Sequence, residues 1–443
     1  MQEKNLIFLT MVRMADIRRR GIYTDLLRKF QSEGWNIYVV TPHERSMGLP
    51  TELKEDGGVH FLGVKTLNLQ KTNAIEKGIG QVLVESQFTS AIKKYLSDVK
   101  FDLVLYSTPP ITFPKVIANL KRQNPQAMTY LLLKDIFPQN AVDLGMLQGM
   151  PVQGSWFKVQ GWMARAKYQL YKYFRRKEKK LYALSDYIGC MSPANVEYVL
   201  RHNPEVSPAK VEVAPNSVEL CHTDDTDRTD NNTVRNKYGL PTEKPIFIYG
   251  GNLGKPQGIP FLTECLEANA KRTDCHFVVI GTGTEMPRLK AWYDNLNANL
   301  NANENSKPST VNGKLNITVM KGLPKAEYDE LVRACDVGLI FLDHRFTIPN
   351  FPSRLLSYLE NRMPVLCATD PNTDMGRIAE ENYFGYWCES NSVEAFTAVL
   401  DKMITADRQA MGEKGYEYLK TNYTVENTYG AIISHFGEHE AHE

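Results

Sequence analysis

The chain has 443 residues, enough for two or three domains with full cores. Its composition, 42% apolar and 23% charged, is ordinary for a globular protein and excludes a fibrous or disordered chain. The net charge of +1 hides a division: residues 1–214 hold 30 Lys+Arg against 19 Asp+Glu, and residues 215–443 hold 22 against 32.

The start of the chain carries no secretory pattern, and no apolar run nears the ~18 residues of a membrane span. Strand-like runs then alternate with amphipathic stretches. Leu6–Val12, Ile37–Thr41, Leu103–Ser107, Tyr130–Leu133, Tyr187–Met191 and Val211–Ala214 read as strands, with helices such as Tyr23–Gly34 and Gln87–Leu96 between them. After the first strand comes Arg18, Arg19, Arg20 and Gly21, three cations before a helix, which suits a pyrophosphate or a solvated basic loop. Lys134 and Asp135 end the fourth run, and strand C-terminal ends are where α/β sheets place chemistry. The alternative there is a helix-capping aspartate beside a surface lysine.

Residues 155–184 read as one long helix. Between 151 and 180 there are nine Lys/Arg and a single acid, Glu178, interleaved with aromatics. Trp156, Trp162, Arg175, Arg176 and Lys177 give this helix what an anionic membrane surface attracts; a solvated face with a core stripe is the competing account. The basic half also suits nucleic acid, but no nucleic-acid-binding motif accompanies it.

The polar stretch Asn216–Asn232 reads as a solvated linker, and its D-x-D (Asp225, Asp227) lies far from any strand end. A second series follows: Ile246–Gly250, Phe277–Gly281, Ile317–Met320, Val337–Phe341 and Val365–Ala368. Asn-rich Asn295–Gly313 reads as a surface loop. Two such series mean two doubly wound domains with parallel sheets covered on both faces. The boundaries fall at 1–215, 216–420 and a last helical piece, 421–443, of the kind that can cross back to the first domain. The seven cysteines are scattered, odd in number and without a C-x-x-C pair, which fits a reducing cytoplasm and no zinc site.

The most informative run is Tyr249–Gly258. A strand leads into Gly250, Gly251, Asn252, Lys255, Gln257 and Gly258, and a helix follows. Glycines let a backbone approach a phosphate closely, and a helix N-terminus offers free N–H groups and a positive dipole end. Lys255 adds charge; Asn252 and Gln257 add amide donors. Phe277–Thr284 is a strand ending in a turn through Gly281 and Gly283. Pro352 and Ser353 open a further helix, with Arg354 alongside and Ser357 one turn on. An ordinary strand–helix turn is the plain alternative.

Together, Gly250–Gly258, Gly281–Gly283, Pro352–Leu359 through Pro364–Val365, Ser107–Ile111 and Lys134–Gly145 resemble the retaining nucleotide-sugar glycosyltransferases of family four. The last two resemble a subgroup that builds surface polysaccharides on lipid-linked carriers. The resemblance implies an α/β, GT-B architecture of two Rossmann-like domains facing each other across a cleft. The first domain would bind the acceptor and the second the nucleotide sugar. It implies transfer of a hexosyl or N-acetylaminosugar unit from a nucleoside-diphosphate sugar, UDP first among them. The acceptor would be a polyprenyl-diphosphate-linked saccharide, and the setting capsule, O-antigen or exopolysaccharide synthesis at the inner face of the cell membrane. Configuration would be retained, with neither metal nor cofactor. Lys134 and Asp135 would line the cleft, and Arg18–Gly21 and Asn140 would face phosphate and acceptor. Two departures stand out. Asn252 and Gln257 occupy places where many members keep Arg and Lys. Pro349 and Ser357 occupy the places of two glutamates, and Glu360 lies a turn further on. A nucleotide-sugar 2-epimerase and a non-catalytic sugar-nucleotide-binding subunit are the rival functions for such a chain.

Overall fold

The computed structural model describes residues 4–69, 74–109, 111–150, 159–220, 230–304 and 315–436. The D-x-D of Asp225 and Asp227, and Trp156, lie outside them. The chain forms two compact units: Met1–Glu219 with Tyr423–Glu443, and Leu220–Asn422.

The first unit runs β1 (Lys4–Leu9), α1 (Ile22–Ser32), β2 (Trp35–Glu44), β3 (Glu52–Asp56), β4 (Val59–Thr66), α2 (Ala74–Tyr95), β5 (Leu103–Ser107), α3 (Pro114–Gln123), β6 (Met128–Leu133), α4 (Gln139–Asp143), α5 (Val159–Leu184), β7 (Tyr187–Cys190), α6 (Pro193–His202) and β8 (Val211–Val213). Its eight strands lie in the order β3-β4-β2-β1-β5-β6-β7-β8. All neighbours pair in parallel except β3 and β4. β1 from Leu6 onward, β5 and β6 are buried, largely apolar runs, as a strand covered on both faces must be. The hairpin β3–β4 is an addition to the sequence reading. Its two-residue loop, Gly57-Gly58, has φ of 60° and 75°, the backbone of a tight hairpin turn that glycine adopts without strain.

The second unit runs α7 (Asn231–Lys237), β9 (Ile246–Asn252), α8 (Ile259–Ala268), β10 (His276–Thr282), α9 (Met286–Glu304), β11 (Ile317–Lys321), α10 (Lys325–Arg333), β12 (Val337–Phe341), α11 (Arg354–Glu360), β13 (Val365–Thr369), α12 (Met375–Glu381), β14 (Gly385–Glu389), α13 (Val393–Thr405) and α14 (Arg408–Asn422). Its six parallel strands lie in the order β11-β10-β9-β12-β13-β14. The expected loop Asn295–Gly313 is helix as far as Glu304; residues 305–314 lie outside the described part.

The chain then returns to the first unit as α15 (Val425–Ser434). Thr424 caps it by accepting from Asn427 N–H. Ile432 is fully buried in the same core as Leu6, Phe30 and Trp35, and Tyr429 meets Phe30 edge-on at 4.9 Å. The stretch Asn216–Glu219 is not the solvated linker its composition predicts. Asn216 and Ser217 are buried, Val218 N–H donates to Tyr423 O at 2.9 Å, and Val425 N–H donates back to Val218 O at 3.1 Å.

Among the parallel strands of each sheet the order reverses direction once, between β1 and β5 and between β9 and β12. Such switch points leave a crevice at the strand C-termini where α/β proteins bind ligands. The loops after β1, β5, β9 and β12 border these switch points.

Candidate active site

In the second unit, β9 runs buried through Tyr249 and opens at Gly250 and Gly251. A Cβ on Gly250 would overlap the Tyr328 hydroxyl, and Gly251 has φ 116°. β10 closes against this turn. A Cβ on Gly281 would overlap the Gly251 carbonyl oxygen, and one on Gly283 the Leu253 carbonyl. Leu253 N–H donates to Thr282 O and its own carbonyl accepts from Glu285 N–H, both at 2.9 Å. The loop after β12 completes the frame, with Asp343 N–H donating to Pro256 O at 3.0 Å. Gly258, at φ 55°, starts α8. Backbone thus meets backbone on three sides of the turn, leaving the exposed Gly251, Asn252 and Lys255 facing outward.

The side chains around this turn differ from the sequence reading in two respects. Gln257 turns its carbonyl inward: Oε1 accepts from Gly254 N–H at 3.2 Å and from Asn252 Nδ2 at 3.4 Å, so it shapes the turn. Ser353 is not a capping side chain; it sits in the helical region before α11 without a cap hydrogen bond. Lys255 is exposed, and its ammonium has no partner among the described residues.

Arg354 is the feature the sequence placed but could not orient. Its guanidinium lies over the Tyr249 ring, 4.3 Å from the centroid. Its Nη1 is buried without a hydrogen-bond partner. The Tyr358 hydroxyl, on the same helix, accepts from Gly250 N–H at 3.2 Å and donates to Ile248 O at 3.1 Å, joining α11 to the glycine turn. Burial pushes the Tyr249 and Tyr358 phenols above their ordinary range, so Arg354 faces neutral rings, and no carboxylate is paired to it among the described residues. An unpartnered buried guanidinium nitrogen is costly and calls for an anion. Tyr249, Tyr328 and Tyr358 were missed from sequence; their spacing reads only as core.

The two missing glutamates are not replaced locally. Ser357 is half-buried, with its carbonyl accepting from Asn361 Nδ2 at 2.7 Å, and Pro349 is buried. Glu360 lines a surface pocket with Asn231, Arg333 and Arg362, at the far end of α11 from Arg354. The buried Asp370 supports the nearby loop instead: its Oδ1 accepts from the N–H groups of Asn372 and Thr373, and the Thr373 hydroxyl donates to Asn350 O at 2.5 Å.

In the first unit, Thr108 knits β5 to β6. Its hydroxyl accepts from Lys134 N–H at 3.0 Å and Asp135 N–H at 3.2 Å and donates to Asp135 O at 3.0 Å. Lys134 is half-buried and its ammonium donates to Ala214 O at 3.1 Å, with no carboxylate paired to it among the described residues. Burial pulls this lysine down to about 7. Asp135 accepts from Asn140 Nδ2 at 2.7 Å, yet burial outweighs that bond and lifts the carboxyl to about 6. The Asn140 Oδ1 is buried and unpaired. Pro138, not Asp135, stands at the N-terminus of α4.

The arginine loop is mostly committed within the first unit. Arg18 pairs with Asp56 at 2.5 Å, and Arg20 donates to Glu219 O at 2.7 Å. Arg19 alone of the three is exposed with no partner among the described residues, and Gly21 precedes α1 with N–H bonded to Asp25. Along α5 the sequence expectation splits again. Arg175 pairs with the buried Glu178 at 2.5 Å and Lys177 with the buried Glu85 at 2.5 Å, so neither is a surface cation. Trp162 and Arg176 are exposed. No helix among the described residues is long and apolar enough to cross a membrane.

Comparison with known proteins fits this geometry. Residues 230–418, inside the second unit, match the family described as Glycosyl transferases group 1. The chain is 21% identical over 370 residues to the probable glycosyltransferase WbjE of Pseudomonas aeruginosa, covering 80% of this chain and 78% of that one. Among solved structures, it aligns over 100% of both chains with sucrose-phosphate synthase from Thermosynechococcus elongatus, at TM-score 0.69 and 14% identity. It also aligns with WaaG, a glycosyltransferase involved in lipopolysaccharide biosynthesis, at TM-score 0.60 and 12% identity over 97% of this chain and 98% of that one. The chain is thus a glycosyltransferase of GT-B fold, similar over residues 230–418 to the glycosyl transferases of group 1.

Proposed function

We propose that the protein transfers a hexosyl or N-acetylaminosugar unit from a nucleoside-diphosphate sugar to a saccharide carried on polyprenyl diphosphate. UDP is the first base to test, and the setting is capsule, O-antigen or exopolysaccharide synthesis. The names of WbjE and WaaG support the polysaccharide setting. A lipid-borne acceptor places the enzyme at the cytoplasmic face of the cell membrane. As in the family-four enzymes the chain resembles, the configuration is retained.

The reaction breaks the bond between the anomeric carbon and the diphosphate. Negative charge grows on the leaving oxygen, and stabilising it is the protein's main task. The observation that carries the reading is Arg354, with one nitrogen buried and unsatisfied beside the glycine turn. Arg354 takes the leaving diphosphate, with Lys255 and the turn N–H groups, in place of the Arg and Lys that Asn252 and Gln257 replace; protein cations do this work without a metal. In the first unit, Asp135, held by Asn140 and Thr108, receives an acceptor or sugar hydroxyl. Lys134 and Arg19 offer cations to phosphate.

Calorimetry with UDP, GDP, ADP and CMP tests the donor site. One nucleoside diphosphate should bind, and Arg354→Met should weaken it ~10–100-fold, the range of a lost charge-assisted contact. Wild-type affinity in Arg354→Met refutes the donor site as drawn.

A further inference from the structure

Six of the eleven large apolar side chains exposed among the described residues lie between Met146 and Tyr173, a concentration that single exposed residues elsewhere do not approach. At 100° per residue, Trp162, Ala166 and Tyr173 share one line along α5, with Met163 and Leu170 on one flank. Trp162 is 71% exposed and Leu170 45%. The same line continues to Lys180, flanked by Arg176, both exposed and without partners among the described residues. Toward its C-terminal end the helix packs on the first unit: Phe174, next to the Met163 flank, meets Phe137 edge-on at 5.0 Å, and on the face away from Trp162, Glu178 and Tyr182 are buried. Lys167 donates to Gly145 O at 3.2 Å, which sets Met146, 47% exposed, next to this helix.

We propose that this outer face of α5 seats on an anionic lipid bilayer, with Trp162, Met163, Leu170 and Tyr173 entering the headgroup boundary and Arg176 and Lys180 on the lipid phosphates. An apolar segment that runs into unpaired cations along one helical line matches the apolar and charged layers of such a surface. A protein partner would need a complementary acidic groove, whereas a bilayer needs only these two layers. The seating set differs from the sequence expectation, because Arg175 and Lys177 point inward onto Glu178 and Glu85. Its biological use rests on the lipid-borne acceptor proposed above; the physical binding does not.

The test is sedimentation of the full chain with sucrose-loaded phosphatidylcholine vesicles with and without 30% phosphatidylglycerol. UDP binding is measured in parallel. Wild type should bind the anionic vesicles. At ~1 kcal/mol for each cation near the surface, Arg176→Gln with Lys180→Gln should cut partitioning ~30-fold. Trp162→Ser with Leu170→Ser should cut it at least ~10-fold on the same vesicles. Lys271→Gln with Lys402→Gln, which removes the same charge from exposed positions of the second unit, should leave partitioning within about twofold. Loss of vesicle binding with UDP binding intact keeps variant folding out of the explanation. Three results overturn the proposal: no binding by wild type, equal loss in the control pair, or a concentration-dependent dimer that Trp162→Ser dissociates. Wild-type vesicle binding without any nucleotide binding would sink the donor reading and leave this one standing.

Discussion

Lys134→Met isolates the cost of desolvating the half-buried lysine. An unfolded lysine titrates near 10.5, and in the folded first unit Lys134 sits at about 7 because burial disfavours its charge. At or below pH 7 the unfolded chain is fully protonated there, so folding must carry a cation into a poor environment or release its proton. At pH 7 that gap corresponds to ~4 kcal/mol against the folded state. Between pH 7 and 10.5 the unfolded chain binds more protons than the folded one, so this cost shrinks as pH rises. Methionine keeps the stem length and removes the charge, while leaving Ala214 O without its donor, which costs ~1 kcal/mol. The variant's first unit should therefore be ~3 kcal/mol more stable than wild type at pH 7, with the advantage gone by pH 10. Urea unfolding followed by hydrogen exchange at first-unit amides, from pH 6 to 10, reads this directly. The variant should lose glycosyl transfer over the same range. A variant less stable than wild type at pH 7, or a difference that does not change with pH, refutes the reasoning.

Three further substitutions probe the sites and the returning helix. Gly281→Ala drives a Cβ into the Gly251 carbonyl, backbone against backbone, and should cost ~2–3 kcal/mol and abolish nucleotide binding; Gly430→Ala on α15, with open space around it, should stabilise by up to ~1 kcal/mol in thermal unfolding. Asn140→Ala removes a hydrogen bond that favours ionised Asp135, so the acid limb of kcat/KM, expected near the carboxyl's value of about 6, should move up by as much as ~1 pH unit. An acid limb unmoved in Asn140→Ala would mean that Asp135 does not set it.

Much of the fold was legible because parallel strands buried on both faces announce themselves as apolar runs. Leu103–Ser107 and Val337–Phe341 coincide with observed strands. β3 was missed because an exposed edge strand, Glu52–Asp56, has no apolar face to show; only Gly57-Gly58 marks it. The glycine turn was legible because Gly281 and Gly283 are where two backbones touch and Gly250 is where the Tyr328 ring closes in, constraints that only glycine meets. Charged side chains were harder. Arg18, Arg175 and Lys177 look in sequence like free cations, but Asp56, Glu178 and Glu85 stand 38, 3 and 92 positions away. Linear charge counting cannot see a partner that the fold brings in, and for the same reason it could not see that Arg354 Nη1 is buried without one among the described residues.

The return of α15 separates the order of synthesis from the order of folding. The second unit is contiguous in sequence, whereas the first needs Ile432, Tyr429 and Phe436 to finish the core around Phe30 and Trp35. At ~5–20 residues per second, the ribosome needs ~10–40 s to cover the 204 positions from Glu219 to Tyr423. Throughout that interval the first unit lacks the side chains of α15 that complete the core around Phe30 and Trp35. A premature stop codon between residues 423 and 425 would thus leave the later-made unit intact and the earlier-made one unfinished.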